Sequence, residues 1–345
     1  MSRTGEASLS SPTEPASGLG TLQYVLILQI VGCSLVILGH SYPFAGVPPW
    51  ADTVRSFVYS FHMPLFVWCS GFLAVATNAA SKYGLGEFTK KRAMRLLFPY
   101  FAFSLIGVAP KIVFAQFLND KLGLDWWDLV VAMLVPRESI WGHFWFLPML
   151  FLVGLIGYAI DWIGTRVSRG PVIAIATALA AAVTFLPEAT QWFALSDVQH
   201  FLVYFLVGML MGLSRARIES LPILVAPVSL ASAVALFILT PSTSNIAIAI
   251  LMTTGLLVLA LRVSPRLSIS RDALIGQTYQ IFILSWPFQL IVEIITERIL
   301  GVGFYVTAPL MFLAGMLLPL VTLRAVDWFE DRTGTHAISL VLGKG

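Results

Sequence analysis

Residues 57–74 read FVYSFHMPLFVWCSGFLA, an apolar run that decides how the chain folds. A helix needs about 20 such residues to cross a membrane, so this stretch predicts a membrane-spanning segment. Two residues disturb it: His62 is ionisable, and Pro64 cannot donate a backbone hydrogen bond. Because an ionisable side chain is costly inside a membrane unless it faces a cavity or a partner, His62 indicates a functional site.

A second histidine, His40, ends the preceding apolar segment in the sequence Leu-Gly-His-Ser. Two histidines therefore flank one short connection. Each of them could instead be a membrane-edge histidine that is hydrogen-bonded to backbone or to lipid headgroups. Their pairing favours a shared site.

The composition is that of an integral membrane protein. Hydrophobic residues make up 58% of the chain and charged residues 11%, with a mean hydropathy of +0.85, whereas soluble domains carry about 25% charged residues. The net charge of +3 gives no reason to expect a nucleic-acid partner. Cys33 and Cys69 lie in apolar segments without CxxC spacing and are expected to be buried thiols.

The chain is predicted to hold one membrane domain with a tail at each end. Residues 1–20 are rich in Ser, Gly, Pro and Thr and read as a disordered cytoplasmic tail, not as a cleaved signal peptide. Residues 21–325 form the membrane domain, and residues 326–345 form a cytoplasmic C-terminal tail. Hydropathy predicts an all-α bundle of about ten spans: 22–40, 56–77, 96–118, 143–163, 171–187, 198–213, 221–239, 244–262, 276–297 and 304–323. The segment from Trp126 to Val135 is too short to cross and suits an interfacial helix.

The orientation follows from the lysines and arginines. If both termini are cytoplasmic, 16 of the 21 fall in inside segments, which is the bias expected of cytoplasmic loops. The remaining five are Arg55, Lys111, Lys121, Arg137 and Arg298.

This topology brings four of the five histidines to the outer side. His40 ends the first span, His62 lies about two turns into the second, and His143 and His200 begin the fourth and sixth. We therefore expect an outward-facing chamber. A zinc site is the other chemical interpretation, but no HxxH or HxxxH spacing supports it, and we predict no metal.

Several motifs together resemble the membrane-bound acyltransferase-3 family. They are Gly39-His40-Ser41; Ser60-Phe61-His62-Met63-Pro64-Leu65-Phe66 with Ser70-Gly71-Phe72; Lys91-Arg92-Ala93-Met94-Arg95-Leu96-Leu97-Phe98-Pro99-Tyr100; and Trp145-Phe146-Leu147-Pro148. The nearest branch is the fucose 4-O-acetylase-like one. The similarity is dense over residues 25–155 and rests mainly on hydropathy thereafter.

The resemblance implies transfer of an acyl group, often acetyl, from cytoplasmic acyl-CoA to a hydroxyl of an extracytoplasmic glycan or lipid-linked sugar. His40 falls on the family's catalytic histidine, His62 on the histidine of its second-helix motif, and Arg92 and Arg95 on its basic motif. A histidine suits the task, because it can take the proton of a sugar hydroxyl as that hydroxyl attacks a thioester.

The other site residues have rival interpretations. Lys91, Arg92 and Arg95 are predicted to hold the CoA phosphates, although such a cluster could simply anchor the helix at anionic lipid. His143, Trp145 and Glu293 are predicted acceptor-binding residues. The motif at Trp145 could equally be an interfacial aromatic belt. Glu293 could instead orient a histidine.

Two positions depart from the family pattern. Gln29 stands eleven residues before His40, where relatives commonly carry Lys or Arg, and Ser285 stands where a histidine commonly ends the ninth-helix motif. Gln29 can still donate a hydrogen bond. The developing oxyanion needs donors such as Gln29, His62 or a backbone N–H, and Gln29 and His62 are predicted to help shape the site.

We therefore predict an acyl-CoA-dependent O-acyltransferase of the bacterial inner membrane, with membrane lipids and a surface polysaccharide or lipid-linked saccharide as partners. One alternative is a transporter of a glycan precursor or small molecule, in which the same polar groups line a path. The other is an acyltransferase homologue that has lost catalysis, which the changes at Gln29 and Ser285 motivate.

Overall fold

A computed structural model describes residues 17–43, 46–108, 126–139, 141–242, 245–267 and 277–344. These residues form helices and no strands. The α-helices are α1 (Ser17–His40), α2 (Pro49–Tyr59), α3 (His62–Ala76), α4 (Ala79–Lys82), α5 (Leu85–Ile106), α6 (Trp126–Leu134), α7 (Phe146–Gly164), α8 (Arg169–Val183), α9 (Leu195–Leu213), α10 (Arg215–Glu219), α11 (Val225–Leu239), α12 (Ile246–Val263), α13 (Thr278–Glu293), α14 (Phe304–Thr333) and α15 (Ala337–Val341).

Short non-α turns extend several of these helices. Four are 3₁₀ turns, at Pro136–Glu138, Gly142–Trp145, Trp192–Ala194 and Ser264–Arg266, and a π-helical segment at Ile294–Ile299 continues α13.

Every predicted span overlaps at least one described helix, and the count of ten stays a prediction. Seven helices in the described ranges are long and apolar enough to cross a membrane, while α8 and α11 are shorter apolar helices. The third predicted span lies partly in α5, and its remainder falls outside the described residues, as does most of the predicted N-terminal tail. Large apolar side chains of α14, among them Leu310, Leu313, Leu317 and Val321, are exposed on the surface, as expected of a lipid-facing helix.

The second predicted span is two helices and not one. The break falls at Ser60 and Phe61, immediately before His62. Pro64 has no N–H to donate to the Ser60 carbonyl, so the α-helical ladder cannot run through this turn. The break places His62 at the first position of α3, and its ring reaches back to the end of the preceding helix.

Helices α3 and α9 form the centre of the bundle. A Cβ placed on Gly71 would collide with the Phe205 carbonyl, and one on Gly208 with the Trp68 carbonyl. Glycine at both positions lets the two backbones touch. Membrane helices associate through such close packing of small residues, because in lipid there is no hydrophobic driving force to bring them together. Because α1, α7 and α12 pack around this pair, the helix ends that carry the histidines are held on a rigid support.

The C-terminal residues fold back onto the domain. Helix α14 continues past the predicted end of the last span to Thr333, and α15 follows. Ser339 donates to the Glu330 carboxylate with its N–H at 2.8 Å and also with its hydroxyl, and Leu342 is buried against Ile281 and Leu323. The cytoplasmic location of residues 326–345 stays a prediction.

Candidate functional site

His40 is the last residue of α1, so its backbone lies where helix carbonyls lose their intrahelical donors. The Tyr59 hydroxyl donates to the Gly39 carbonyl at 2.9 Å, and the Tyr59 ring packs where a side chain at residue 39 would otherwise lie. The ring centroids of His40 and Tyr59 are 6.2 Å apart. Tyr59 therefore holds the turn from which His40 projects.

The second histidine, His62, has a defined hydrogen on its ring. Its Nδ1 lies 2.8 Å from the Val58 carbonyl oxygen, which the helix break leaves short of its normal donor. Because a carbonyl oxygen can only accept, Nδ1 carries the hydrogen and Nε2 of the neutral ring is an acceptor. The Tyr59 ring lies between the two histidines, 5.0 Å from His62 centroid to centroid.

His143 joins His40 through an aromatic contact. The two imidazole centroids are 5.9 Å apart, and both rings lie against Trp286, at 5.2 Å for His40 and 5.6 Å for His143. The Nε2 atom of His143 is buried and makes no hydrogen bond to the described part of the chain. Trp286 was missed by the sequence reasoning, although it directly follows Ser285, the position at which this chain departs from the family.

The histidines open onto one large cavity of about 1150 Å³. All four histidines predicted on the outer side line it, namely His40, His62, His143 and His200. The remaining wall is mostly aromatic and aliphatic, with the polar side chains of Tyr59, Arg137, Thr184, Tyr204, Ser242 and Asn245. Binding pockets commonly have this character, an apolar wall with a few convergent polar groups.

One wall of the cavity carries an ion pair that was not predicted from the sequence. Arg137 donates from Nε at 2.9 Å and from Nη2 at 2.5 Å to Oδ1 of Asp197, whose side chain is buried. The Arg137 guanidinium carbon lies 4.3 Å from the centroid of the Trp145 ring. The pair fixes the orientation of Trp145, a predicted acceptor-binding residue that also lines the cavity.

Two of the predicted catalytic and acceptor-binding residues lie away from this cavity. Gln29 is half-buried on α1, roughly 16 Å from His40 by helical rise, and it does not line the cavity. Glu293 is 1% exposed at the end of α13 and does not line it either. The Ser285 hydroxyl bonds to its own helix, at the Phe282 carbonyl.

The predicted CoA-binding cations are found on α5. Arg92 reaches into the bundle, where its Nη2 donates to the Leu150 carbonyl at 2.7 Å, and Gly154 leaves room for its guanidinium. The Arg92 Nε is buried without a hydrogen-bond partner among the described residues. Arg92 is therefore packed between helices and is more than a surface anchor.

The other two predicted CoA-binding cations of α5 are exposed. Arg95 has its guanidinium carbon 5.9 Å from the Tyr279 ring centroid. Lys91 pairs with Glu87 at 2.8 Å, and the hydrogen bond to that carboxylate raises the pKa of Lys91. Both lie exposed in the first half of α5, where an anionic ligand from solution can reach them.

No group of three or more His, Cys, Asp or Glu side chains in the described ranges is arranged to hold a metal ion. The described residues that line the cavity offer imidazole, hydroxyl and guanidinium groups for chemistry.

Comparison with known proteins agrees with this arrangement. No curated protein and no solved structure matches the chain. A family model described as an acyltransferase domain, that of acyltransferase-3, matches residues 22–324, which include every helix that contributes to the cavity. The chain therefore belongs to the acyltransferase-3 family of membrane proteins.

Proposed function

We propose that this protein is an O-acyltransferase of the bacterial inner membrane. It moves an acyl group, most simply acetyl, from cytoplasmic acyl-CoA to a hydroxyl of an extracytoplasmic glycan or lipid-linked sugar. We further propose that it belongs to the fucose 4-O-acetylase-like branch and crosses the membrane ten times with both termini in the cytoplasm.

The observation that supports this function most is the convergence of His40, His62 and His143 on one cavity in a chain of this family. Ionisable side chains inside a membrane domain are expensive and are retained where they serve chemistry or transport. Acyl transfer to a hydroxyl needs a base near neutrality and a pocket for the acceptor, and this cavity supplies imidazoles and a volume large enough for a sugar.

In the proposed reaction His40 is the general base. The acceptor hydroxyl oxygen attacks the thioester carbonyl carbon while His40 takes the hydroxyl proton. The tetrahedral intermediate then collapses, the carbon–sulfur bond breaks, and the proton returns from His40 to the departing CoA thiolate. The new ester bond replaces the thioester, so the reaction needs no metal and no redox partner.

His62 has a distinct part in this scheme. Because its Nδ1–H is committed to the Val58 carbonyl, Nε2 can accept a hydrogen bond from a second acceptor hydroxyl but cannot donate one to an oxyanion while the ring is neutral. We therefore assign His62 to orienting the acceptor. The hydrogen bond to the oxyanion would instead come from His143 Nε2 or from a backbone N–H.

We propose that the donor approaches from the predicted cytoplasmic side, where α5 begins, and that the acceptor approaches the histidines from the outer side. Lys91 and Arg95 would meet the CoA phosphates at the helix end, and Arg92, deeper in the bundle, would hold the part of the donor nearer the thioester. Gln29 lies on the same side of His40 and would contact the donor there. His143 and Trp145 would bind the acceptor. Glu293, which does not line the cavity, would orient a histidine.

The experiment is binding and turnover of labelled acetyl-CoA by the purified, detergent-solubilised protein, beside Arg92→Ala/Arg95→Ala and the matched control Lys90→Ala. Saturable binding that the double variant loses and the control keeps supports the enzyme. Absence of binding to the wild-type protein, under conditions where another family member binds, contradicts it. That outcome favours the transporter or the non-catalytic homologue.

A further inference from the structure

We infer that Gln289 of α13 is a positioning residue that fixes the turn from which His40 projects. The inference rests on the proposed function, since it takes His40 as the base. Gln289 is fully buried, with 0% of its surface exposed. A buried amide is costly unless its hydrogens are donated, so its presence in a membrane helix calls for a partner.

The partners of Gln289 lie at the end of α1, one on its last turn and one directly after it. Its Nε2 donates to the Ile37 carbonyl at 2.8 Å and to the Ser41 hydroxyl at 2.8 Å, three residues before and one residue after His40. The Ser41 hydroxyl in turn donates to the Ile37 carbonyl at 2.7 Å. Gln289, Ser41 and the Ile37 carbonyl thus form a closed ring of hydrogen bonds beside the backbone of His40.

This ring meets a need of the helix end. The Ser41 N–H donates to the Leu38 carbonyl at 3.0 Å instead of continuing the α-helical pattern, so Ile37 loses the donor that a longer helix would supply. Ser41 and Gln289 replace it. With Tyr59 bonded to the Gly39 carbonyl, three successive carbonyls of this turn have partners from outside the α-helical ladder.

Helix α13 therefore contacts both the ring of His40 and the turn that carries it. Trp286 packs on the imidazole, and Gln289, one turn further along the same face, bonds to Ile37 and Ser41 on either side of His40. Gly315 of α14 leaves space for this side chain, since a Cβ there would lie 3.0 Å from Gln289 Cγ and Cδ. Helix α14 thus accommodates the Gln289 side chain at Gly315.

A hydrogen bond from a buried glutamine to another helix can also contribute to stability alone. The chain offers a matched control for Gln289. Gln280 is a second buried glutamine of α13, and its Nε2 donates to a backbone carbonyl, that of Leu342, at 3.3 Å. It lies at the opposite end of the helix from His40. A stabilising role predicts similar behaviour for the two residues, whereas a positioning role separates them.

The experiment measures kcat and KM for acetyl-CoA-dependent transfer by the full chain with Gln289→Leu, Gln280→Leu and His40→Ala, alone and with Gln289→Leu and His40→Ala combined. Misplacement of a catalytic group costs roughly 10²-fold. We expect Gln289→Leu to lower kcat by about that factor with KM nearly unchanged, and Gln280→Leu to leave kcat intact. The combined variant should be no slower than His40→Ala alone, because Gln289 acts through His40.

The outcomes separate the two levels of the account. Equal kcat for Gln289→Leu and wild type, in a sample where His40→Ala is inactive, overturns the inference and leaves the proposed function standing. Transfer that survives His40→Ala overturns the assignment of the base. If Gln289→Leu does not fold, Ser41→Ala, which removes one member of the same ring, is measured instead, and an unchanged kcat there overturns the inference.

Discussion

At the scale of single residues, the ring hydrogen of His62 decides what this side chain can do. The Val58 carbonyl fixes the hydrogen on Nδ1, which leaves Nε2 as an acceptor on a ring that lines the cavity. The sequence identified His62 and His40 because ionisable groups stand out in apolar segments. It could not identify Trp286 or Gln289, since nothing local shows which face of α13 meets α1; Ser41 and Gln289 are separated by 248 positions.

The tautomer leads to a prediction for His62→Asn. The asparagine amide can still donate to the Val58 carbonyl, so the variant should fold, but no group remains at the position of Nε2. Losing one buried hydrogen bond to the substrate costs about 1–3 kcal/mol, so kcat/KM for the acceptor should fall roughly tenfold to 10²-fold. Steady-state kinetics with varied acceptor test this. An unchanged kcat/KM would show that His62 does not contact the acceptor.

At the scale of helices, α5 and α7 meet where Arg92 packs over Gly154. The basic motif of α5 was readable from sequence, and its i, i+3 spacing placed Arg92 and Arg95 on one face. The structure divides the two, since Arg92 contacts the Leu150 carbonyl inside the bundle while Arg95 is exposed. The break between α2 and α3 was likewise indicated only by Pro64, because hydropathy alone reads both helices as one span.

The packing at Gly154 predicts the effect of Gly154→Ala. The added Cβ would displace the Arg92 guanidinium from the Leu150 carbonyl. If Arg92 holds the donor, the KM for acetyl-CoA should rise several-fold while the KM for the acceptor stays unchanged. Gly170→Ala is the control, because a Cβ at Gly170 has no neighbour within 4 Å. A donor KM that does not differ between the two variants would count against a role for Arg92 in donor binding.

At the scale of the whole molecule, the fold follows from hydropathy more directly than the site does. Every predicted span overlaps a described helix, as expected where lipid forces the backbone to satisfy its own hydrogen bonds. Hydropathy does not predict which helices pack together, since this depends on close contacts such as that between α3 and α9. The C-terminal residues were predicted as a tail because they are polar, yet Leu342 gives them a buried contact with the bundle.

The proposed orientation is testable by cysteine labelling. Cys33 and Cys69 are both buried, so a membrane-impermeant maleimide should find little background. We expect Ser81→Cys and Thr335→Cys to react only in inverted vesicles, and Gln191→Cys only in intact spheroplasts, since the excess of Lys and Arg marks the cytoplasmic side. The opposite pattern would reverse the topology and, with it, the sides assigned to donor and acceptor.

The most direct test of the central claim is acetyl transfer from labelled acetyl-CoA by purified protein in which His40 is replaced by alanine. The control is His336→Ala, because His336 is exposed near the C-terminus and does not line the cavity. We predict that His40→Ala loses transfer by about 10²-fold or more while it remains folded and membrane-inserted, and that His336→Ala retains it. Full activity in a folded His40→Ala protein would contradict the account.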